Sequence, residues 1–286
     1  MFSPVHLDIV AESITVPQFN AAIQRMQEQY GPPPFGTLTS ANANPSTLTN
    51  WGPNAWPTLH TIGNKREHEY YWYLTEIFRE PHTHPALNGE PYYSGYLDAR
   101  GLNGGYRYGA PGGSALDAQF VRSAMYGSVL SGGLAGHVYG AEGIWGADIE
   151  AAAPTHMWDA FQWPSGANMT HLPAFVLSEG RRYQDLVPDD FVVPSRTANT
   201  KAYEGWAYAA RTPDRRFFLA YFEKGCPQGR MRGAIPDASY RARWFDPRTG
   251  AWQPAGPGTI KANNIGEIAL PAFPDGEDWA LSLVAG

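Results

Sequence analysis

The sequence contains a single cysteine, Cys226, among its 286 residues. One thiol excludes an internal disulfide framework and a cysteine-rich metal site. The neighbouring Gly225 and Pro227 predict a turn, in which Cys226 is a plain loop thiol or a partly buried one.

Basic charge and long apolar runs are also scarce. The chain has 21 Lys and Arg against 27 Asp and Glu, a formal net charge of −6, and its basic residues are scattered. Nucleic-acid binding therefore has no electrostatic support. No apolar run approaches the roughly 18 residues of a membrane span. The N-terminal MFSPVHLDIV lacks the basic and apolar regions of a signal peptide. As written, the chain is expected in the cytoplasm; a secreted or periplasmic location requires a leader in a missing N-terminal part.

Several motifs of common enzyme chemistry are missing as well. No G-x-S-x-G elbow is present, so a serine hydrolase finds no support. The glycine-rich segment 101–113 lacks the Lys-Ser/Thr of a phosphate loop and fits a flexible loop better. His82 and His84 alternate like metal ligands, but no third ligand stands nearby, so we predict no metal. No cofactor is implied.

What the sequence does contain is an alternation of strand and helix patterns. Helical spacing of apolar residues predicts helices over 17–30, 65–78, 116–131 and 168–180, and short apolar runs predict strands at 5–11, 35–40, 57–62, 84–90 and 134–139. This alternation predicts βα units and a parallel sheet. Several strands end in a polar residue, where (β/α)8 barrels place their chemistry. These residues are Glu12, Ser40, Asn64 and Glu90.

Composition changes near Pro194. Helical periodicity disappears, and short aromatic and β-branched runs follow, separated by turn signals such as the DPRTG of residues 246–250. This pattern is typical of an antiparallel β-sandwich. We therefore predict a first domain over 1–195 and a sandwich over 196–286.

Three stretches of the first domain resemble a known family. HPALNGEPYYSGY, VRSAMYGSVLSGGLAGHVYGAEGIW and LVPDDF are similar to the apiosidase-like (β/α)8 glycoside hydrolases of the family-140 type. The tail, with WFDPRTGAW and DGEDWALSLV, resembles the small sandwich that follows such barrels and is labelled for collagen binding. A whole barrel needs typically about 250 residues and eight strands. Only five strand candidates precede the sandwich. The fold implied is α/β: a partial barrel of strands four to eight, followed by a small antiparallel sandwich.

The resemblance implies two catalytic carboxylates. NGEP looks like the seventh-strand nucleophile motif of the family, which assigns Glu90 as the nucleophile. Counting back three strand candidates assigns Glu12 as the acid/base, although the family commonly has Asp after small glycines where this chain has Ala11-Glu12. The structural alternatives are a loop-capping or Arg-paired carboxylate for Glu90 and a cap near Pro17 for Glu12.

Six further residues are predicted to bind substrate. Asn88 belongs to the NGEP motif, and Tyr92 or Tyr93 is placed to hydrogen-bond the nucleophile. His137 and Tyr139 end the eighth-strand candidate and would line the pocket; a satisfied core histidine is the alternative for His137. Trp145 offers a stacking face for a sugar ring, or else is a packed tryptophan.

These features together predict an enzyme that acts on carbohydrate. The leading hypothesis is a retaining glycoside hydrolase that cleaves O-glycosyl bonds of plant or microbial polysaccharide with two carboxylates. The alternative is a catalytically inactive carbohydrate-binding remnant, which is suggested by the missing strands. The sugar, the linkage and the oligomeric state stay open.

Overall fold

The computed structural model describes residues 15–53, 56–63, 68–81, 84–96, 109–188 and 202–286. The helices are α1 (Val16–Tyr30), α2 (Thr47–Trp51), α3 (Glu69–Arg79), α4 (Ala115–Leu130), α5 (Met157–Ala160), α6 (Pro164–Asn168) and α7 (His171–Val176), with 3₁₀ turns at Pro34–Gly36 and Gly180–Asp185. The strands are β1 (His60–Ile62), β2 (Ala86–Asn88), β3 (Gly136–His137), β4 (Val187–Pro188), β5 (Ala207–Arg211), β6 (Phe217–Phe222), β7 (Arg230–Met231), β8 (Ser239–Phe245), β9 (Trp252–Lys261), β10 (Ile268–Ala269) and β11 (Trp279–Ala285).

The N-terminal part holds a parallel sheet in the order β1-β2-β3. Ile62 pairs with Asn88, and Asn88 pairs with His137. α3 connects β1 to β2 and α4 connects β2 to β3, so two successive βα units are present, as predicted. The predicted strand at 5–11 lies outside the described residues.

Local sequence explains where α1 begins. Thr15 accepts a hydrogen bond from the Gln18 amide while the Gln18 side chain accepts one from the Thr15 amide, which is a capping box. Pro17 lies in the first turn and Gly31, at φ 77°, ends the helix. The prediction of a helix over 17–30 is therefore confirmed.

The predicted strand at 35–40 is wrong. Pro34–Gly36 forms a 3₁₀ turn in which Phe35 has φ 61° and is fully exposed. Thr39 then joins the region before β1 through single hydrogen bonds with Thr58 rather than through a ladder. The predicted helix over 168–180 is also interrupted, because α6 ends at Asn168, α7 covers only His171–Val176, and a 3₁₀ turn begins at Gly180, which has φ 61°.

The C-terminal part is antiparallel. A six-stranded sheet has the order β4-β5-β6-β11-β8-β9, and β7 pairs with β10 in a second sheet. Alternate residues of β6 serve two cores: Phe218 and Phe222 face the cluster that holds Met231 and Ile268 of the small sheet, whereas Phe217 and Tyr221 face the N-terminal part. The antiparallel sandwich is confirmed. The predicted boundary near residue 195 lies outside the described residues.

Helix α4 joins the two parts. Residues from Asp117 to Leu130 are all buried, because the sheet of the sandwich covers the side of the helix that the parallel sheet leaves open. A Cβ at Gly127 would lie 2.6 Å from the Tyr208 ring and 2.7 Å from Tyr70 Oη, so only glycine allows this approach. The two parts therefore share one continuous core.

None of the described helices is both long and apolar enough to cross a membrane.

Candidate active site

The candidate site lies beyond the carboxyl ends of the parallel strands. β1, β2 and β3 run in the same direction, so the residues that follow Ile62, Asn88 and His137 meet at one edge of the sheet. Glu90 is the second residue after β2. This edge is where parallel α/β proteins bind their ligands.

Glu90 is half-buried at this edge and has an amide donor beside it. Asn42 Nδ2 lies 3.4 Å from Glu90 Oε2. The Gly89 amide donates to the Ile62 carbonyl at 3.0 Å. A Cβ at Gly89 would touch Ile62 O and Thr61 Cβ, both at 3.4 Å. The small residue thus lets Glu90 sit close to the end of β1.

Sequence reasoning missed Asn42. Its segment crosses the end of β1 so closely that a Cβ at Gly63 would lie 2.6 Å from Asn42 Oδ1 and 2.5 Å from the Ala43 carbonyl. The signal available was the ANANP run of residues 41–45, which follows a predicted strand but reads as an ordinary polar loop. Contact with Glu90 spans 48 positions of the chain, which no local pattern reveals.

Asn88 and His137 lie beside one another on the helix-facing side of the sheet. Asn88 is fully buried and donates to Ser128 Oγ of α4 at 3.0 Å. Its register partner His137 is half-buried, and its Nδ1 has no hydrogen-bond partner among the described residues. Burial lowers the pKa of His137 to about 3, so its ring is neutral at physiological pH. Asn88 therefore stabilises β2 through its hydrogen bond to α4.

A buried carboxylate holds the loop that follows Glu90. Asp117, in the first turn of α4, accepts from Tyr92 Oη at 2.8 Å, Ser94 Oγ at 2.5 Å and the Gly95 amide at 2.7 Å. Burial raises the pKa of Asp117 although these hydrogen bonds lower it. Tyr92 is also buried and accepts from the Ala110 amide. The loop is thereby fixed to the N-terminus of α4.

The same network orients Tyr139. Ser94 uses its one hydroxyl proton on Asp117, so Ser165, 2.7 Å from Ser94, must donate to Ser94. Tyr139 Oη, 3.1 Å from Ser165, must then donate to Ser165. The phenolic oxygen of Tyr139 therefore keeps its lone pairs available as acceptors. Tyr93, by contrast, lies with its ring edge 2.5 Å from the Cβ position of Gly140.

Trp145 lies on the segment after β3. It is 76% exposed, and its amide donates to the Ala141 carbonyl. This segment is tied to the Glu90 loop, because the Ser94 amide donates to the Gly140 carbonyl and the Glu142 amide donates to the Ser94 carbonyl, each at 2.9 Å. Trp145 thus belongs to the same edge of the sheet as Glu90.

Glu12 lies outside the described residues. Among the residues that the structure describes, no group of three or more His, Cys, Asp or Glu could hold a metal ion. The structure therefore brings Glu90 together with Asn42, and it ties the loop after Glu90 to Asp117 and to the segment that carries Trp145.

Comparisons with known proteins agree with this architecture. The family model "Apiosidase-like, catalytic domain" matches residues 22–182, and the model "Putative collagen-binding domain of a collagenase" matches residues 187–284. No curated protein matches the chain.

Two solved structures share the fold. One, named a glycoside hydrolase, has a TM-score of 0.68 and 16% identity over 94% of this chain and 60% of its own. The other, a glycoside hydrolase family 5 protein from Bacteroides vulgatus ATCC 8482, has a TM-score of 0.68 and 16% identity over 94% of this chain and 58% of its own. This chain thus spans about 60% of the length of these structures. From the match over residues 22–182, the chain belongs to the apiosidase-like family.

Proposed function

We propose that this protein is a retaining glycoside hydrolase in which Glu90 is the nucleophile and Glu12 the acid/base. The substrate is a plant or microbial polysaccharide, and the bond that is cleaved is a glycosidic bond. The observation that carries the proposal is the position of Glu90, two residues beyond a parallel strand with the Asn42 amide at 3.4 Å. Membership of the apiosidase-like family supports it.

The environment of Glu90 suits a nucleophile. An ionised carboxylate must attack the anomeric carbon, and the Asn42 amide, which donates to Glu90 Oε2, orients that carboxylate for the attack. A second carboxyl about 5–5.5 Å away must protonate the leaving oxygen and then activate water. We assign this group to Glu12. In this proposal β1, β2 and β3 are the sixth, seventh and eighth strands of the family barrel.

The other predicted residues take different parts in the proposal. Tyr139 accepts a hydrogen bond from a sugar hydroxyl, because its own proton is committed to Ser165. Trp145 stacks on a ring, and Tyr93 borders the pocket beside Gly140. Three groups act behind the site rather than in contact with substrate: the buried Asn88 and Tyr92, and the half-buried His137, whose Nδ1 is buried.

Covalent trapping tests the nucleophile. The protein is incubated with a panel of 2-deoxy-2-fluoroglycosides that carry activated leaving groups, and digested peptides are analysed by mass spectrometry. We expect one adduct on Glu90 and none in Glu90→Gln. An adduct on another carboxylate would remove Glu90 from the role. Binding of polysaccharide without adduct or turnover by the wild type would favour an inactive carbohydrate-binding protein.

The acid/base is tested separately. Glu12→Gln should lower kcat/KM, which reports the first step, much more on glycosides with poor leaving groups than on activated aryl glycosides, because only the former need protonation of the leaving oxygen. Equal losses on both substrate types would contradict the role of Glu12. Neither outcome changes the test of Glu90 by covalent labelling.

A further inference from the structure

Four side chains form an unbranched chain of hydrogen bonds, which we name the relay: Asp117, Ser94, Ser165 and Tyr139. Ser94 Oγ lies 2.5 Å from Asp117 Oδ2 and 2.7 Å from Ser165 Oγ. Ser165 Oγ lies 3.1 Å from Tyr139 Oη. Asp117 and both serines are fully buried, and neither serine hydroxyl has another hydrogen-bond partner among the described residues. Each serine therefore donates to one neighbour and accepts from the other, so all protons of the relay point the same way.

Tyr139, at one end of the relay, lies beside the segment that carries the candidate nucleophile. The Val138 amide donates to the Asn88 carbonyl at 3.3 Å, and the Ser94 amide donates to the Gly140 carbonyl at 2.9 Å. Both chain neighbours of Tyr139 are thus bonded to the segment from β2 to Ser94. The side chain of Tyr139 is half-buried, whereas the carboxylate at the other end of the relay is enclosed at the start of α4.

The two oxygens of Asp117 differ in whether their hydrogen bonds can reverse. Oδ1 accepts from the Gly95 amide at 2.7 Å and from Tyr92 Oη at 2.8 Å. A backbone amide can only donate, so a proton on Oδ1 would face the proton of that amide. Oδ2 contacts Ser94, whose hydroxyl can either donate or accept. A proton that Asp117 takes up therefore resides on Oδ2, the oxygen that belongs to the relay.

A proton on Oδ2 reverses every hydrogen bond of the relay. Asp117 then donates to Ser94, and Ser94 turns its own proton towards Ser165. Ser165 in turn donates to Tyr139 Oη, so the phenolic proton of Tyr139 is released from Ser165 and becomes available to another acceptor. Only hydroxyl rotations are needed, and a single proton is taken up from solvent. The heavy atoms can therefore stay where they are while the polarity of Tyr139 changes.

The surroundings of Asp117 favour uptake of this proton. Burial raises the pKa of Asp117, and the hydrogen bonds that the carboxylate accepts oppose that rise. The ionisable side chain that contacts it is Tyr92, on which the Tyr203 ring packs at 6.2 Å. Helix α6, which packs against α4, carries no ionisable side chain, and Arg122, further along α4, is paired with Asp278. Asp117 therefore takes up a proton at a higher pH than an exposed aspartate does.

We infer that Asp117 is a positioning residue that sets, through the relay, whether Tyr139 accepts or donates a hydrogen bond at the candidate site. When Asp117 is ionised, Tyr139 offers its lone pairs to a sugar hydroxyl. When Asp117 is protonated, Tyr139 offers its proton to an ether, hydroxyl or carboxylate oxygen of the sugar. The contact with sugar rests on the proposed function, whereas the reversal itself needs no substrate, so the two are tested separately.

The test follows Tyr139 in the full chain by ultraviolet resonance Raman spectroscopy. In the tyrosine Fermi doublet, the intensity ratio of the higher-frequency to the lower-frequency component is low for a phenol that only donates and rises when the phenol accepts. The difference between each protein and its Tyr139→Phe counterpart isolates this residue. Asp117→Asn presents an amide donor to Ser94 at every pH, because its remaining oxygen must accept from the Gly95 amide. We expect the ratio for Tyr139 at pH 7.5 to be higher in Asp117→Asn than in wild type.

Acidification gives the same comparison without a substitution at Asp117. The wild-type ratio for Tyr139 should rise as the pH falls from 7.5 to 4 while the circular dichroism of the folded chain is unchanged. Ser165→Ala interrupts the relay, so in that variant neither acidification nor Asp117→Asn should change the ratio. The matched control is Ser131→Ala, which removes another buried hydroxyl at the end of α4 and should leave both effects in place.

Two results would overturn the inference. One is the same ratio for Tyr139 in wild type and Asp117→Asn at pH 7.5. The other is an effect of Asp117→Asn that persists in Ser165→Ala, because the relay would then not be the route. If the ratio responds as expected while Glu90 is never labelled, the relay stands and the proposed nucleophile falls.

Discussion

Arg122 of α4 and Asp278, the residue before β11, form a buried bidentate ion pair between the two parts of the molecule. Arg122 Nε donates to Asp278 Oδ2 at 2.8 Å and Nη2 donates to Oδ1 at 2.7 Å. Tyr221 Oη donates to the same carboxylate, and Arg122 Nη1 also donates to Asn168. The parallel sheet and the sandwich are therefore joined by a charge-assisted hydrogen-bond network as well as by apolar contact.

Breaking this pair should be costly. Asp278→Asn leaves the Arg122 charge buried without its counter-ion, so we expect a loss of about 3–5 kcal/mol in the free energy of unfolding. Urea titration followed by circular dichroism measures it. Lys224→Ala, which breaks the exposed ion pair with Glu277, is the control and should cost at most about 1 kcal/mol. Similar losses for both variants would contradict the importance of burial.

The N-terminal part should not fold without the sandwich. A chain that ends at Pro194 would expose the side of α4 that Tyr208 and Tyr221 cover, with Tyr126 stacked on Tyr221 at 4.9 Å. It would also lose Glu223, which accepts from His68 and Ser123 in the buried interface.

We therefore expect the truncated chain to aggregate or to bind a hydrophobic dye, without a cooperative thermal transition. Size-exclusion chromatography and calorimetry measure this. A monomeric product that unfolds cooperatively would show that the two parts fold independently.

Asp117 should stabilise the Glu90 loop. Asp117→Asn keeps the size of the side chain but turns one acceptor oxygen into a donor that faces Tyr92, Ser94 or the Gly95 amide. An expected loss of about 1–3 kcal/mol in the free energy of unfolding follows from unpaired buried donors. Asp159→Asn, at an exposed carboxylate, should change stability by less than about 0.5 kcal/mol.

The effect of Asp117 on the loop after Glu90 can be measured separately from the stability of the whole chain. Hydrogen exchange at residues 92–95 should accelerate in Asp117→Asn more than exchange in β6 does. Unchanged exchange in this loop would mean that Asp117 does not hold it.

His137 should make stability depend on pH. Burial lowers its pKa from 6.5 to about 3 in the folded chain, so below about pH 6.5 the unfolded chain binds the extra proton. The stability contribution of neutral His137 is complete above about pH 6.5 and is lost as pH falls towards 3, by up to about 1.4 kcal/mol per pH unit.

The measurement compares wild type with His137→Gln in urea unfolding at pH 7.5, 6 and 5. The wild type should lose stability more steeply than the variant on acidification. His60, whose pKa burial also lowers, is present in both proteins, so its effect cancels. Parallel curves for the two proteins would show that His137 is not held neutral by burial.

Much of this molecule could be predicted from local patterns. The alternation of strand and helix signals indicated the parallel βα units, and the capping box at Thr15 explains the accuracy of the first helix. The short aromatic runs after residue 202 indicated the antiparallel sheet. The strand predicted at 35–40 failed because an apolar residue, Phe35, lies in a turn at positive φ and faces solvent, which periodicity cannot reveal.

The candidate site also contains residues that local patterns predict and residues that they do not. The NGEP motif places Glu90 after a short strand, which is a local property of the chain. Its neighbour Asn42 comes from 48 positions away, and Arg122 meets Asp278 across 156. Such contacts depend on how elements pack, so they carry no signature in any single segment.

The sequence by itself determined the order of strands and helices, the change to an antiparallel sandwich and the presence of a carboxylate after a parallel strand, because period, turns and caps are local. Only the tertiary structure decided which polar groups surround that carboxylate and which are used in packing. It buried Asn88 and Tyr92 against α4 and left Trp145, on the segment after β3, exposed, since burial follows from the close packing of distant elements.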